Sequence, residues 1–289
     1  MGRLPRNRRV KNPPPMRLTN RDVEIIKNVH EFRIMRGDQI QALFFGSQST
    51  ASYRLSRLYQ HQYLDKHFLP TLGGISSSPT LYTLDKLGFG VLREIYEFGP
   101  EDIRHRVRSK ELSPLFLEHL LKINDVRVAV TLAVRQNRFA LETWYDESVL
   151  KSDYDRVTIN TPTGRNRNVS LIPDSYFTLR VPQGRASFFL ELDRGTMTTG
   201  RYKEKILAYM KYVNSGKYQS RYNTRSLRVL TITLGKRRMK NLKQVTEKVG
   251  GKRIFWYTEL LKITSTSILD EPIWQVAGFD STFSLVTRE

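Results

Sequence analysis

The segment SFFLELDRGT, Ser187–Thr196, constrains the fold of this chain most strongly, because it has the pattern of a buried strand that ends in two carboxylates. Alternate residues of a strand share a face. One face carries Phe188, Leu190 and Leu192, and the other carries Phe189, Glu191 and Asp193. An ionised carboxylate is costly in apolar surroundings unless it has a counter-charge. The two acids are therefore expected to bind either a metal ion or arginines nearby, such as Arg194 or Arg201.

Helical and strand patterns alternate around this segment from residue 114 onward. A long helix pattern is followed by three strand patterns, the acidic strand, and then helix, strand, helix and strand. The ranges outside the acidic strand are 114–137, 138–150, 155–161, 169–181, 200–216, 228–234, 237–250 and 253–258. This order is typical of an α/β domain with a mixed sheet. Neither a P-loop nor a G-x-G-x-x-G follows a strand, which predicts that no nucleotide cofactor binds.

The charge of the chain indicates a polyanionic partner. Its formal net charge is +20 and its pI is about 10.2. Residues 201–253 contain sixteen Lys or Arg against two acids, so the excess follows the acidic strand directly. Nucleic acid is the partner that such a concentration favours. The chain has no cysteine and no apolar run that could cross a bilayer, which predicts a soluble, cytoplasmic, DNA-associated protein without a membrane partner.

The N-terminal part has the pattern of a winged helix-turn-helix. Residues 1–16 are a basic, Pro-rich segment that we expect to be a flexible tail. Residues 17–99 then show a helix capped by Thr19 or Asn20, a short helix at 39–44, and a third helix, Gln48–His61, capped by Ser47 or Ser49. Two strand patterns separated by the loop TLGGISSS, 71–78, are typical of a wing.

The third helix is the expected recognition helix for double-stranded DNA. It presents polar side chains that suit base edges and phosphates, namely Gln48, Ser49, Ser52, Tyr53, Arg54 and Arg57. After a linker at 100–113, the α/β domain is expected to occupy 114–289.

A third carboxylate joins the two acids of the strand. Asp174, in IPDSYF, begins the preceding strand and is expected beside Glu191 across a hairpin. Carboxylate oxygens that converge in this way suit Mg²⁺ or Mn²⁺, so Asp174, Glu191 and Asp193 are predicted metal ligands. The following helix supplies Lys203 and Lys205 as nearby ammonium groups, whereas its tyrosines are expected to pack or stack, namely Tyr202, Tyr209 and Tyr212.

The spacing of Asp174 and Glu191 resembles the PD-(D/E)XK nuclease superfamily, whose fold is a helix, a β-meander, a helix and further strands. The resemblance implies a restriction-endonuclease-like fold and a catalytic set of Asp174, Glu191, Asp193 and a lysine. The residue two after Glu191 is Asp193 rather than the lysine of the motif. Some related groups supply the lysine from the next helix, which makes Lys205 the candidate.

A second resemblance extends over nearly the whole chain. LEHLLKINDVRVAV, WYDESVL, LIPDSYF, FFLELDRGT with KILAYMKY, RVLTITL and PIWQV occur in the order in which similar motifs occur in the bacterial replication-relaxation family. That family is associated with plasmids and other mobile elements. The resemblance implies a role in DNA replication, relaxation or mobilisation, together with other proteins of those processes.

Three functional hypotheses follow. The first is a metal-dependent endonuclease that nicks DNA, with a homodimer needed for a double-strand cut. The second is a non-catalytic DNA-binding regulator with a degenerate nuclease fold, which the missing lysine beside Glu191 favours. The third is a transcription factor with an effector domain, which predicts a ligand pocket in place of an acidic cluster.

Overall fold

The computed structural model describes residues 8–68, 79–97, 99, 113–160, 164 and 166–286. The chain divides into two compact units, Met1–Val128 and Ala129–Glu289. This division falls inside the helix Pro114–Asn137, whereas we expected a boundary at residue 114. The first half of that helix belongs to the first unit because its side chains bond there: Asn124 donates to the carbonyl oxygen of Ile34 at 2.7 Å. Most of the expected linker, 100–112, lies outside the described residues.

The first unit consists of helices around a small antiparallel sheet. Its elements are α1 (Asn20–Glu31), β1 (Met35–Arg36), α2 (Gly37–Phe44), α3 (Gln48–Gln60), β2 (Leu64–Phe68), β3 (Thr80–Leu84), α4 (Lys86–Tyr96) and the first half of α5 (Pro114–Asn137). The sheet order is β1-β3-β2. The predicted wing loop, 71–78, lies outside the described residues.

Side-chain caps set where α1 and α3 begin. Thr19 caps α1 in a reciprocal arrangement, since its backbone N–H donates to the Asp22 carboxylate at 2.7 Å and its hydroxyl accepts from the Asp22 N–H. Ser47 caps α3 by accepting from the N–H of Thr50. Each cap satisfies backbone donors that the first helical turn leaves without a partner. Thr19 and Ser47 are thus the caps among the predicted alternatives.

The N-terminal segment 8–16, part of the expected flexible tail, contacts α3. Arg57 donates to the carbonyl oxygen of Pro14 at 2.9 Å, and Arg9 donates to the carbonyl oxygen of Tyr59 at 2.9 Å. Arg9 also forms a salt bridge with Asp85 at 2.6 Å. Residues 1–7 of the expected tail lie outside the described part.

The second unit contains most of the strands. Its elements after α5 are β4 (Ala140–Asp146), α6 (Glu147–Ser152), β5 (Asp155–Asn160), β6 (Asn166–Leu171), β7 (Ser175–Val181), β8 (Gly184–Asp193), α7 (Thr199–Asn214), α8 (Lys217–Tyr222), β9 (Leu227–Thr233), α9 (Lys236–Lys248), β10 (Phe255–Glu259), a 3₁₀ helix (Leu260–Lys262), β11 (Trp274–Val276) and β12 (Thr282–Phe283).

Seven of these strands form one mixed sheet in the order β12-β11-β10-β9-β8-β7-β4. β8, β9 and β10 are parallel, and the remaining pairs are antiparallel. The prediction of an α/β fold with a large mixed sheet is therefore confirmed. The segment predicted as one strand at 169–181 is divided: β6 pairs with β5 in a separate two-stranded sheet, and β7 joins the large sheet. Pro173 lies at this break, where the chain leaves one ladder before entering the other.

β8 is buried on both faces. On one face, Phe189 packs with Tyr209 and Tyr212 of α7 in a core that also includes Met239 and Leu242 of α9. On the other face, the ring of Phe188 stacks on Phe177 with centroids 4.8 Å apart. Glu191 has the same strand parity as Phe189, so its side chain lies on the face covered by α7.

Among the residues that the structure describes, no helix combines the length and the apolar character needed to cross a lipid bilayer.

Candidate functional site

Asp174 lies directly beside the acidic end of β8. The antiparallel register pairs Ser175 with Leu190, so the preceding residue, Asp174, stands opposite Glu191. Two hydrogen bonds fix this position. The Asp174 N–H donates to the Leu190 carbonyl oxygen at 3.0 Å, and the Leu192 N–H donates to Asp174 Oδ2 at 2.7 Å. The two carboxylates that the sequence placed on neighbouring strands are therefore adjacent.

α7 contributes two partners to Glu191. Lys205 forms an ion pair with Glu191 Oε2, and the Tyr209 hydroxyl donates to Glu191 Oε1. Glu191 is only 8% exposed, and the side chain of Lys205 is 22% exposed. Lys205 and Tyr209 are four residues apart, so both project from one face of α7 onto the same carboxylate. Asp174, Glu191, Lys205 and Tyr209 form one polar cluster, which we call the β7–β8–α7 cluster.

Burial and the neighbouring charges set the protonation of the cluster. Burial raises the pKa of Glu191 to about 7; the Lys205 ammonium opposes this shift and the Asp174 carboxylate adds to it. Burial by itself would lower the pKa of Lys205, but Glu191 and Asp174 outweigh it, so the pKa of Lys205 is raised. Lys205 therefore stays charged at neutral pH, while Glu191 titrates near neutrality.

Replacing Tyr209 with phenylalanine should destabilise the second unit by about 1 to 3 kcal/mol, because the buried Oε1 of Glu191 loses its donor. Urea unfolding followed by tryptophan fluorescence measures this loss, since Trp144, Trp256 and Trp274 all lie in that unit. Tyr145→Phe is the control, because Tyr145 is 41% exposed. Equal midpoints for Tyr209→Phe and the wild type would show that this hydrogen bond contributes nothing to stability.

Asp193, the third predicted metal ligand, is paired with Arg238 in the structure. The guanidinium of Arg238, on α9, holds its carboxylate with Nε at 2.7 Å from Oδ2 and Nη2 at 2.9 Å from Oδ1. Arg238 also donates to the carbonyl oxygen of Met197 at 2.7 Å. A bidentate arginine already satisfies the counter-charge of this acid. In the described part of the chain, no group of three or more His, Cys, Asp or Glu side chains could hold a metal ion.

Two carboxylates remain for a divalent cation. Asp174 and Glu191 offer oxygen ligands of the hard type that Mg²⁺ and Mn²⁺ prefer, and the residues fit such an ion in their chemistry. Both oxygens of Glu191 are bonded, one to Lys205 and one to Tyr209. Asp174 and Glu191 would hold such a cation, and Lys205 would supply an ammonium beside it.

The predicted recognition helix presents fewer cations than expected. Gln48, Ser49, Ser52 and Tyr53 are exposed, and Tyr53 is 62% exposed. Arg54 is instead paired with Asp22, and Arg57 is 7% exposed and bonded to the backbone of segment 8–16. The prediction that Arg54 and Arg57 contact DNA stays a prediction, and in the structure these two side chains bond the Asp22 carboxylate and the carbonyl oxygens of Pro14 and Pro15.

Two residues of the site were missed by the sequence reasoning. Tyr209 was expected only to pack or stack, but its hydroxyl also bonds Glu191. Its spacing of four residues from Lys205 was a usable signal, because such residues share a helix face. Arg238 had no such signal, since it lies on α9, far along the chain from Asp193.

The sequence model of a family described as replication-relaxation matches residues 26–227. No curated protein matches. Among solved structures, restriction endonuclease FokI is similar at 8% identity and a TM-score of 0.32, and FokI bound to DNA at 10% identity and a TM-score of 0.25. Each comparison covers 86% of this chain but only 43% of the FokI chain, so this chain spans less than half of that protein. Similarity at this level transfers neither fold nor function.

Proposed function

Because this chain belongs to the replication-relaxation family, we propose that it binds double-stranded DNA in replication or mobilisation and hydrolyses one phosphodiester bond at the β7–β8–α7 cluster. The observation that carries this proposal is the convergence of Asp174, Glu191 and Lys205. Two carboxylates and an ammonium, brought together at the end of one sheet strand, are suited to phosphoryl chemistry.

Each member of the cluster has a proposed role. Asp174 and Glu191 would hold Mg²⁺ or Mn²⁺, which when bound stabilises negative charge on a phosphoryl group and activates a water. Lys205 would orient the attacking water and neutralise charge on the scissile phosphate. Tyr209 keeps Glu191 aimed at the cluster by its hydrogen bond.

The order of elements supports the finer fold assignments. In the first unit, three helices and a three-stranded sheet in the order α1-β1-α2-α3-β2-β3 support a winged helix-turn-helix with α3 as the DNA-reading helix. In the second unit, α5 and the meander β4-β7-β8 followed by α7 and β9 support a PD-(D/E)XK-like domain. One cluster of this kind cuts one strand, so a double-strand cut would require a homodimer.

The test is a nicking assay on supercoiled plasmid DNA. The wild type should produce relaxed circles with Mg²⁺ or Mn²⁺ and none with chelator. Asp174→Asn should produce none, although its amide oxygen can still accept from the Leu192 N–H and so preserve the fold. Asp280→Asn removes an exposed acid of the same unit and should nick at the wild-type rate. No metal-dependent nicking by the wild type, or equal nicking by Asp174→Asn, would overturn the catalytic proposal.

The second candidate is a non-catalytic DNA-binding regulator. It is favoured by the satisfied state of the acids, since Glu191 is bonded by Lys205 and Tyr209 and Asp193 by Arg238. Under this alternative the protein would bind duplex DNA, show no nicking, and unfold at the same temperature with and without Mn²⁺. A bound metal must raise the unfolding temperature, so the melting curve separates the two candidates.

A further inference from the structure

An open groove of about 830 Å³ lies beside the exposed face of α3. We call it the α1–α3 groove. Residues that precede or begin α1, a residue that follows α2, and residues of α3 line it; they include Arg17, Asn20, Arg21, Phe45, Thr50 and Tyr53. The groove is within the first unit and is formed wholly by described residues.

Two cations of this groove have no acidic partner. Arg17 and Arg21 are exposed, and in the described part of the chain neither side chain forms a salt bridge. The guanidinium carbon of Arg21 lies 5.2 Å from the centre of the Phe45 ring, which orients that cation over an aromatic face. Asp22 is the acid of the groove, and Arg54 already neutralises it. The groove therefore carries a net positive charge.

The groove adjoins the polar residues that α3 exposes. Thr50 and Tyr53 belong to both, and Tyr53 is 62% exposed. A duplex whose bases faced Gln48, Ser49 and Ser52 would bring its backbone near this edge of the helix. Cations that flank a reading helix are placed to contact phosphates, which set the register of a protein on DNA.

We infer that the α1–α3 groove binds the phosphodiester backbone of duplex DNA through Arg17 and Arg21. The inference rests on the proposed DNA-binding function and names the residues that carry it. Arg54 and Arg57, the arginines of α3 itself, are held by Asp22 and by the backbone of segment 8–16. In this arrangement α3 reads the bases. The phosphate contacts of the unit come from Arg17, in the segment before α1, and from Arg21, in the first turn of α1.

The test is the salt dependence of binding to a fluorescein-labelled duplex, measured by anisotropy in the full-length protein. The double variant Arg17→Ala/Arg21→Ala should bind about tenfold more weakly or worse in 0.1 M salt. Its plot of log affinity against log salt should be shallower by about 1.8, at about 0.9 for each lost phosphate contact. Each single variant should show about half of that decrease in slope. Arg17→Lys/Arg21→Lys keeps the charges and should keep the slope.

Arg93→Ala is the matched control, because Arg93 is an exposed arginine on α4 of the same unit. It should bind with the wild-type slope, and circular dichroism should show all variants folded. If the wild type binds duplex DNA and the double alanine variant has an unchanged slope, the groove inference fails and the proposed function stands. If the wild type does not bind duplex DNA, or binds single-stranded RNA in preference, both fail.

Discussion

Lys205→Met is expected to lower the free energy of unfolding of the second unit by about 3 to 5 kcal/mol at pH 8. The substitution leaves the Glu191 carboxylate buried beside Asp174 without its ammonium partner. Removing one member of a buried ion pair is costly because the remaining charge keeps its desolvation penalty and loses its attraction. Urea unfolding, followed by tryptophan fluorescence, measures the change.

The unfolding free energy that Lys205→Met loses should be larger at pH 8 than at pH 6. The pKa of Glu191 is already raised to about 7 by burial, and without Lys205 it should rise further. A carboxyl with a raised folded-state pKa favours the protonated folded protein, so stability falls as the pH rises through that pKa. The variant should therefore regain about 1.4 kcal/mol for each pH unit of acidification from pH 8 toward pH 6.

Two further variants separate the ion pair from general damage to α7. Lys205→Met/Glu191→Gln removes the uncompensated charge and should recover most of the lost stability, with little dependence on pH in this range. Lys203→Met removes an exposed lysine of the same helix and should behave as the wild type. A Lys205→Met loss that is the same at pH 6 and pH 8 would contradict a charge origin.

The local features of the cluster were predictable from the sequence. The apolar run in SFFLELD predicts a buried strand, and β8 is buried from Ser187 to Leu192. The proline and aspartate of IPDSYF mark the start of the preceding strand, and the pairing of that strand with β8 sets Asp174 beside Glu191. The resemblance to nucleases that supply the lysine from the next helix singled out Lys205, which pairs with Glu191 in the structure. Each of these features depends on residues close together in the chain, where period and turn chemistry decide the structure.

Partners that are far apart in sequence were not predictable in the same way. Two acids at alternate positions of one strand look equivalent, yet Glu191 meets Lys205 and Asp193 meets Arg238 of α9. That choice is made by how the two crossover helices pack on the sheet. The pairing of β6 with β5 rather than with the large sheet likewise reflects tertiary structure, which the sequence of residues 169–181 does not specify.

The same limit explains the arginines of α3. Their positions on a polar helix predicted contacts with DNA. In the structure, Arg54 pairs with Asp22 of α1, and Arg57 donates to the backbone of segment 8–16. A basic, proline-rich composition is common to flexible tails and to extended segments that pack on a helix, and only the contacts of Arg57 and Arg9 distinguish the two here.

Arg54→Ala is expected to destabilise the first unit by about 3 to 5 kcal/mol, the cost of leaving a buried carboxylate without its cation. Asp22 is fully buried, and Arg54 Nε donates to its Oδ1 at 2.7 Å. Asp22 also accepts from Thr19 to cap α1, so its charge cannot move into solvent without opening that cap. Hydrogen exchange in α1 and α3 should speed up together.

At low pH, the free energy of unfolding of Arg54→Ala should come closer to that of the wild type. Burial acts to raise the pKa of Asp22, but the hydrogen bonds from Arg54 and Thr19 outweigh it and lower the pKa. In the wild type the ionised carboxylate thus contributes stability above its ordinary pKa, and that contribution is lost as the pH falls through the lowered value. In Arg54→Ala the pKa of Asp22 should rise, so protonation at low pH relieves the buried charge. Arg54→Ala/Asp22→Asn should recover much of the stability at neutral pH.

This variant also decides between two roles for Arg54. If Arg54 contacts phosphate, Arg54→Ala should weaken DNA binding, while the stability and the hydrogen-exchange rates of the free protein stay unchanged. If Arg54 instead neutralises Asp22, Arg54→Ala should destabilise the protein. The double variant Arg54→Ala/Asp22→Asn should then regain both stability and duplex binding, although the cation is still absent. Restored binding in the double variant would show that cations other than Arg54 make the phosphate contacts of this unit. Arg17 and Arg21 are exposed beside the same helix.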